Sequence, residues 1–372
     1  MEFGRPGVLD EEYFGALASV LCSRSKYVGL LLAHVKLEHM STIDLIPEVS
    51  SLTMRFTDTL DMHTSLVHKC ANTLVSLNAV ISNAKTLFYD ANENIVVYPQ
   101  LEVLSLAATT GAFTSDRVSV PNVLPLPSLK SLYVGIPYLY TDDVLFRGNS
   151  ASLKGLVINI DQNTVNVLNR NQVFRNNYKN LKVIIEKTYP DEDLTLISDA
   201  DMNKFFSSLV GTARTLKLAS EVSFNYLIAA APPNGFEYLQ ALCITKDNMA
   251  LFDVLRLLKA LPSLIKIACG FDSLGSELEN IAANDLPNYI TSTYCNTGKN
   301  LQIISNQGIG GLVRPVVTEY VILLALVCPK LRRVDLTPDG ISDFQGKVAK
   351  ALQSIPYSKY TSELDRLLCA VY

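Results

Sequence analysis

Residues Thr318 to Leu336 read TEYVILLALVCPKLRRVDL, and the period of their apolar pattern changes part-way along. Val321, Leu323, Leu324 and Val327 have a spacing that suits one face of a helix. Cys328-Pro329 ends that pattern, because proline cannot continue a helix and drives the preceding residue toward extended geometry. Leu331-x-x-Val334-x-Leu336 follows as a short strand signal. Helix, break and strand make one unit of about 20 residues.

The strand frame recurs. It stands at Leu101, Leu104, Leu106; at Leu129, Leu132, Val134; and at Leu153, Leu156, Ile158. A weaker copy has Leu181 and Ile184. Further copies are Ala213, Leu216, Leu218; Leu239, Leu242, Ile244; and Leu264, Ile267, Cys269, with a weak one at Leu301 and Ile304. From Leu101 to Leu331 the starts are separated by 28, 24, 28, 32, 26, 25, 37 and 30 residues. Two degenerate copies are predicted before the series, at Val49, Leu52, Met54 and at Ala84, Leu87, Tyr89. Chance in a leucine-rich chain produces one or two such frames, not nine in succession. A repeat of this size built from a strand and a return segment predicts a leucine-rich-repeat solenoid.

The series resembles the irregular leucine-rich-repeat proteins, particularly the fungal and animal kind attached to F-box segments. The resemblance covers about residues 84–340. It is carried by a proline before the strand, in Tyr98-Pro99-Gln100-Leu101, Leu126-Pro127-Ser128-Leu129, Leu261-Pro262-Ser263-Leu264 and Cys328-Pro329-Lys330-Leu331. The asparagine such repeats usually place after the strand is mostly missing. The resemblance implies an α/β fold: a curved solenoid with a mostly parallel sheet on its concave face and helices and loops on its convex face. It also implies protein binding through the concave face.

Three regions are expected. Residues 1–40 form a helical N-terminal cap or a degenerate F-box-like segment, 41–340 the repeat array, and 341–372 a helical C-terminal cap. Leu9, Phe14, Leu17, Val20 and Leu21 make an apolar stripe after Asp10-Glu11-Glu12, acids that suit a helix N-terminus. The following SRSKYVGLLLAHVKLEHM is similar to the end of an F-box and the strand after it, although the Leu-Pro-x-Glu opening is absent. A polar helix is expected around Asp58 to Ile81, and helical connections at Asp201–Val210, Asp247–Lys259 and Pro315–Val327, the second capped by Asp247. Residues 112–127 read as extended. The acidic groups Asp191, Glu192, Asp193, Asp199 and Asp201, and Asp272, Glu277, Glu279 and Asp285, read as solvated loops. Ser342-x-x-Gln345 has the form of a capping box, and a last helix is predicted over about Ser362–Val371.

Composition narrows the function. The 372 residues are 48% hydrophobic and 18% charged, enough apolar material for a continuous core. A net charge of −4 gives no global drive toward nucleic acid or membrane. The longest strongly apolar run, Tyr320 to Cys328, is too short to span a bilayer. The seven cysteines are scattered and read as reduced, which leads us to expect a cytoplasmic or nuclear protein. No metal, cofactor or catalytic set is expected. His63 and His68 lie five apart, not at the i, i+4 spacing of a zinc-binding helix, and His34 and His39 share that wrong spacing. Gly308-Ile309-Gly310-Gly311 could cradle a phosphate but lacks the third glycine of a dinucleotide loop and has no Gly-Lys-Ser/Thr after it.

The outward positions of the frame are more informative. Inward leucines leave the x positions on the sheet's other face. The first x runs Glu102, Lys130, Lys154, Lys182, Arg214, Gln240, Ile265, Gln302, Arg332. Four consecutive cations, Lys130, Lys154, Lys182 and Arg214, predict a basic ladder on the order of 15 Å long at strand spacing. Tyr133 and Lys217 fill the third x, and Lys266 and Arg333 the second. A solvated lysine face that discourages edge association explains them equally well. The expected function is non-catalytic protein recognition, with a partner acidic on its contact surface. If residues 8–40 work as an F-box, the resemblance implies a ubiquitin-ligase substrate receptor contacting an adaptor. The alternative is a binder of nucleic acid or a phosphorylated ligand. Nucleic acid is disfavoured, since the chain is net acidic and shows no aromatic stacking platform.

Overall fold

The computed structural model describes residues 2–3, 7–8, 29–33, 35–36, 48–55, 61–81, 85–92, 94–108, 126–134, 153–160, 181–187, 197–211, 213–219, 222–245, 249–305, 316–335 and 338–353, with single positions at 162, 165, 166, 169, 357, 360 and 362. The chain forms two compact units, Met1–Tyr178 and Lys179–Tyr372.

The first unit contains strands β1 (Glu2–Phe3), β2 (Gly7–Val8), β3 (Gly29–Ala33), β4 (Val35–Lys36), β5 (Ser51–Arg55), β6 (Ser76–Ile81), β7 (Val103–Ala108), β8 (Ser131–Val134) and β9 (Gly155–Ile160). Helices α1 (Asp61–Lys69) and α2 (Lys85–Phe88) lie between them in sequence. The strands β1, β3, β5, β6, β7, β8 and β9 pair side by side in that order, every pair parallel. Strands β2 and β4 make a separate parallel pair.

The second unit begins with β10 (Leu181–Lys187), α3 (Asp199–Val210), β11 (Ala213–Leu218), α4 (Asn225–Ala230) and β12 (Ala241–Ile244). Then follow β13 (Met249–Ala250), α5 (Leu251–Ala260), β14 (Lys266–Ala268), β15 (Phe271–Ser273), α6 (Ser276–Glu279) and α7 (Leu286–Thr293). The last elements are β16 (Ile303–Ser305), α8 (Val316–Val327), β17 (Arg333–Asp335) and α9 (Pro338–Leu352). Its sheet runs β10, β11, β12, β14, β16, β17, again all parallel, and β13 pairs with β15 outside it. Within each unit, parallel strands with a recurring buried apolar frame, several of them joined by helices, make the expected α/β leucine-rich-repeat fold class.

The proline before four of the strands has a local cause. Leu101, Leu129, Leu264 and Leu331 each donate their N–H to the carbonyl three residues back, at Tyr98, Leu126, Leu261 and Cys328 (3.0–3.3 Å). Proline therefore occupies the second position of a reverse turn, where its fixed φ is already correct. Phe236 to Leu239 and Gly298 to Leu301 make the same hydrogen bond without proline. The turn delivers the first leucine of each frame to the core, and Leu101, Leu129, Leu239, Leu264, Leu301 and Leu331 are all buried.

Two glycines permit close approach between neighbouring repeats. Gly235 has φ +73°, and a Cβ there would stand 2.4 Å from Pro262 Cδ. A Cβ on Gly298 would stand 2.3 Å from Cys328 Sγ. Both positions exclude a side chain.

Several expectations need correction. The copy predicted at Ala84, Leu87, Tyr89 is not a rung, since Lys85–Phe88 is the short helix α2. The rung is β6, whose frame is Leu74, Leu77, Ala79, all buried. It was masked by alanine at the third leucine position and by the helix expected to run through to Ile81. That helix stops at Lys69. The sheet also reaches N-terminal of residue 41, because β3 pairs with β5 and β1 pairs with β3. The rest of the expected N-terminal helix, residues 112–125 and the helix beyond Ser362 lie outside the described residues.

The expected N-cap at Asp247 lies outside them too, and helix α5 starts at Leu251 with Ala250 preceding it. Asp199 and Asp201, and Glu277 and Glu279, belong to the first turns of α3 and α6, not to loops. Acids there complement the helix dipole, and Ser198 Oγ caps α3 by accepting the N–H of Asp201 at 3.1 Å. Ser342 and Gln345 fall inside α9, which starts a turn earlier at Pro338. Helix α8 is buried on nearly all sides, from Tyr320 to Ala325 and at Val327, because α7, α9 and β15 all pack on it.

Candidate functional site

Strand register decides which outward side chains become neighbours. In both units the carbonyl of the first x residue accepts two N–H groups from the next rung. Glu102 O receives Lys130 N and Ser131 N, and Lys130 O receives Lys154 N and Gly155 N. In the second unit Gln240 O receives Ile265 N and Lys266 N, Ile265 O receives Gln302 N and Ile303 N, and Gln302 O receives Arg332 N and Arg333 N. These bonds fix the first x column from Glu102 to Lys154 in the first unit and from Gln240 to Arg332 in the second.

Column members behave differently. In the first unit Lys130 is ion-paired with the Glu102 carboxylate on the preceding rung, and Lys154 is exposed. Tyr133 is half-buried in a row between Ser105 and Val157. In the second unit a register shift between Leu181 and Lys182 sets Lys182 beside Thr215, not beside Arg214. The basic column is therefore interrupted at that step. The cause is that β10 buries Leu181, Val183 and Ile185, a strict alternation one residue shorter than the L-x-x-L-x-L frame of β11. The weak copy was expected to point Ile184 inward; it lies half-exposed on the other face, opposite Lys217. Arg214 donates from Nε to Gln240 Oε1 at 2.8 Å. Arg333 donates from Nε to Asp335 Oδ1 at 2.5 Å.

That leaves two adjacent rows on the outward face of the second unit, the second of which is buried at Ala268 and Ser305. The first row is Lys182, Thr215, Ala241, Lys266, Ile303, Arg333. The second is Ile184, Lys217, Cys243, Ala268, Ser305, Asp335. Lys182 and Lys266 stand three strand spacings apart, roughly 14 Å. Thr215, Ala241 and Cys243 form a floor of small side chains between them, and Lys217 borders that floor from the second row. None of Lys182, Lys217 and Lys266 makes an ion pair among the described residues.

Cys243 registers all three cations. Burial pushes its thiol above the usual range, and the charges of Lys217, Lys266 and Lys182 partly oppose that rise. Desolvation wins, so the thiol stays protonated at neutral pH. Nearby Cys269 is fully buried, which pushes its thiol up to about 12. Cys243 is not among the expected site residues, because the cysteines read only as reduced thiols. The third x position of YLQALCI held the signal.

The other candidates resolve as follows. His68 contacts the Leu87 carbonyl oxygen through Nε2 at 3.3 Å, while His34, His39 and Gly308–Gly311 lie outside the described residues. No group of three or more His, Cys, Asp or Glu able to hold a metal ion occurs among the described residues. No helix among them is long and apolar enough to cross a membrane.

No protein-family model matches this sequence, and no curated protein matches it. Among solved structures the chain is similar to the leucine-rich repeat-containing protein LegL7 from Legionella pneumophila. The two share 13% sequence identity over 87% of this chain and 93% of that one, with a TM-score of 0.43.

Proposed function

We propose that this chain is a non-catalytic recognition scaffold that binds a partner protein on the solvent face of its parallel strands. The observation that carries this reading is the locked register. Rung after rung buries one face, and paired N–H bonds to the first x carbonyls of Glu102, Lys130, Gln240, Ile265 and Gln302 hold the side chains of the opposite face in register. A rigid surface lowers the ordering cost of association, which is what a recognition surface needs. Small floor residues between long cations also give a partner chain room to approach the backbone.

Selection from a displayed random-peptide library tests it. Selected peptides should lose binding to Thr215→Arg, which fills the solvent face, and keep binding to Lys204→Glu, on the exposed side of α3. Peptides that respond only to Lys204→Glu would place recognition on the helical side and overturn the proposal. A ubiquitin-ligase receptor role is a narrower form of the same proposal, resting on residues 8–40, and direct binding of a purified ligase adaptor would be its sign.

A further inference from the structure

The geometry points to a specific ligand class for the second unit: we propose that Lys182, Lys217 and Lys266 bind an extended Asp/Glu-rich segment of a partner protein across β10, β11, β12 and β14. This rests on the proposal above that the solvent face of the strands binds protein.

Three observations converge. First, the three ammonium groups border one floor, and all three act electrostatically on Cys243 in its middle. Second, they differ from the neighbouring cations. Lys130 is ion-paired with Glu102, Arg333 with Asp335, and Arg214 is hydrogen-bonded to Gln240, whereas no ion pair of this trio occurs among the described residues. Gathering like charges without a counter-ion is unfavourable, and an incoming carboxylate relieves that repulsion. Third, the floor is made of Thr215, Ala241 and Cys243, so nothing bulky stands between the cations. An extended segment rises about 3.3 Å per residue, so four or five residues span the roughly 14 Å from Lys182 to Lys266. Carboxylates on alternate residues of that segment point to one side and can reach the lysines together.

Among the described residues, Glu186 lies on the outward side of β10 four residues beyond Lys182. Asp335, at the far end of the second row, is engaged by Arg333. No ion pair joins either of them to the trio among the described residues.

Lysine suits this task differently from arginine. A compact ammonium on a long stem adjusts to carboxylates at variable spacing, where a guanidinium fork would demand one geometry. The site is therefore suited to acidic sequences of relaxed spacing, not to a single fixed motif.

The test uses a fluorescent peptide of alternating Glu and Ser, with its Gln/Ser counterpart as control, and the full chain. Wild type should bind the Glu peptide, with affinity falling as salt rises. Lys217→Glu should weaken binding by at least tenfold, and Lys217→Gln by less. The Glu peptide should also slow maleimide labelling of Cys243, followed by mass-spectrometric mapping so that the exposed Cys295 serves as the unprotected internal control.

Failure would take recognisable forms. If the Glu peptide binds but Cys243 is unprotected and Lys217→Glu is neutral, this site is overturned while recognition on the solvent face stands. If library-selected peptides map to the solvent face but carry no excess of acids, the ligand class is overturned and the scaffold proposal survives. If single-stranded RNA displaces the Glu peptide and itself protects Cys243 at lower concentration, the surface reads nucleic acid and the proposal fails.

Discussion

Lys130, just before β8, and Lys217, on β11, are outward-facing lysines of the same repeat frame, yet their electrostatic situations are opposite. Lys130 meets a carboxylate on the rung before it, so its charge is neutralised within the fold. Lys217 looks across to Ile184 on one strand and Cys243 on the other, with Lys182 and Lys266 close enough to act on the same thiol. A column of cations in a sequence therefore says little about field strength until the register is known. The first unit spends its lysine on its own glutamate; the second gathers three that no acid of the described residues offsets.

The largest effect that bears on this contrast concerns the strand beneath the floor. Leu242 is buried on β12, the strand that sets the spacing between Lys217 and Lys266. Leu242→Ala should cost about 2–5 kcal/mol, as deletion of a buried leucine side chain leaves a cavity as well as lost burial. Chemical denaturation followed by circular dichroism measures it. A loss below about 1 kcal/mol would mean that β12 is not a packed rung, and the arrangement of the floor would lose its basis.

Much of this was legible in advance. Leu101, Leu104, Leu106 and their later equivalents announced the buried face, because a frame repeated at similar intervals can satisfy its apolar side chains only by stacking. The X-Pro-x-Leu sequences marked the entry to four of the strands. What could not be read was register. The step at Leu181/Lys182 depends on how NLKVIIE fits against β11, and isoleucine at 184 and 185 is compatible with either face. The rung at Leu74, Leu77, Ala79 escaped for a related reason, since alanine fills an inward position only where the neighbours leave little volume. Cys243 escaped because its meaning is set wholly by cations on other strands.

An intermediate effect follows from that thiol. Labelling by maleimide requires the thiolate, so the rate at Cys243 should climb with pH and reach half its maximum above the ordinary cysteine value of 9.0. Lysine charge lowers the thiol's pKa, hence Lys217→Gln should move the midpoint higher still and slow labelling a few-fold at fixed pH. Lys130→Gln should leave the profile unchanged if the cationic field at Cys243 comes from the trio. A downward shift in Lys217→Gln would show that exposure of the thiol, not charge, controls its reactivity.

The smallest effect separates the two lysines by stability. The Lys130–Glu102 pair is well exposed, with side-chain accessibilities of 47% and 40%. Exposed pairs contribute about 0–1 kcal/mol, so Lys130→Ala should destabilise within that range, and less in high salt. Lys217→Ala should go the other way or not at all, because removing one of three clustered cations relieves repulsion while the side chain's stem contributes modest packing. A cycle that adds Glu102→Ala isolates the pair's own contribution. Equal losses from Lys130→Ala and Lys217→Ala, both erased by salt, would show that Lys217 also has an acidic partner in solution. The trio would then be satisfied by the protein itself, and an acidic ligand would have to displace that partner before it could bind.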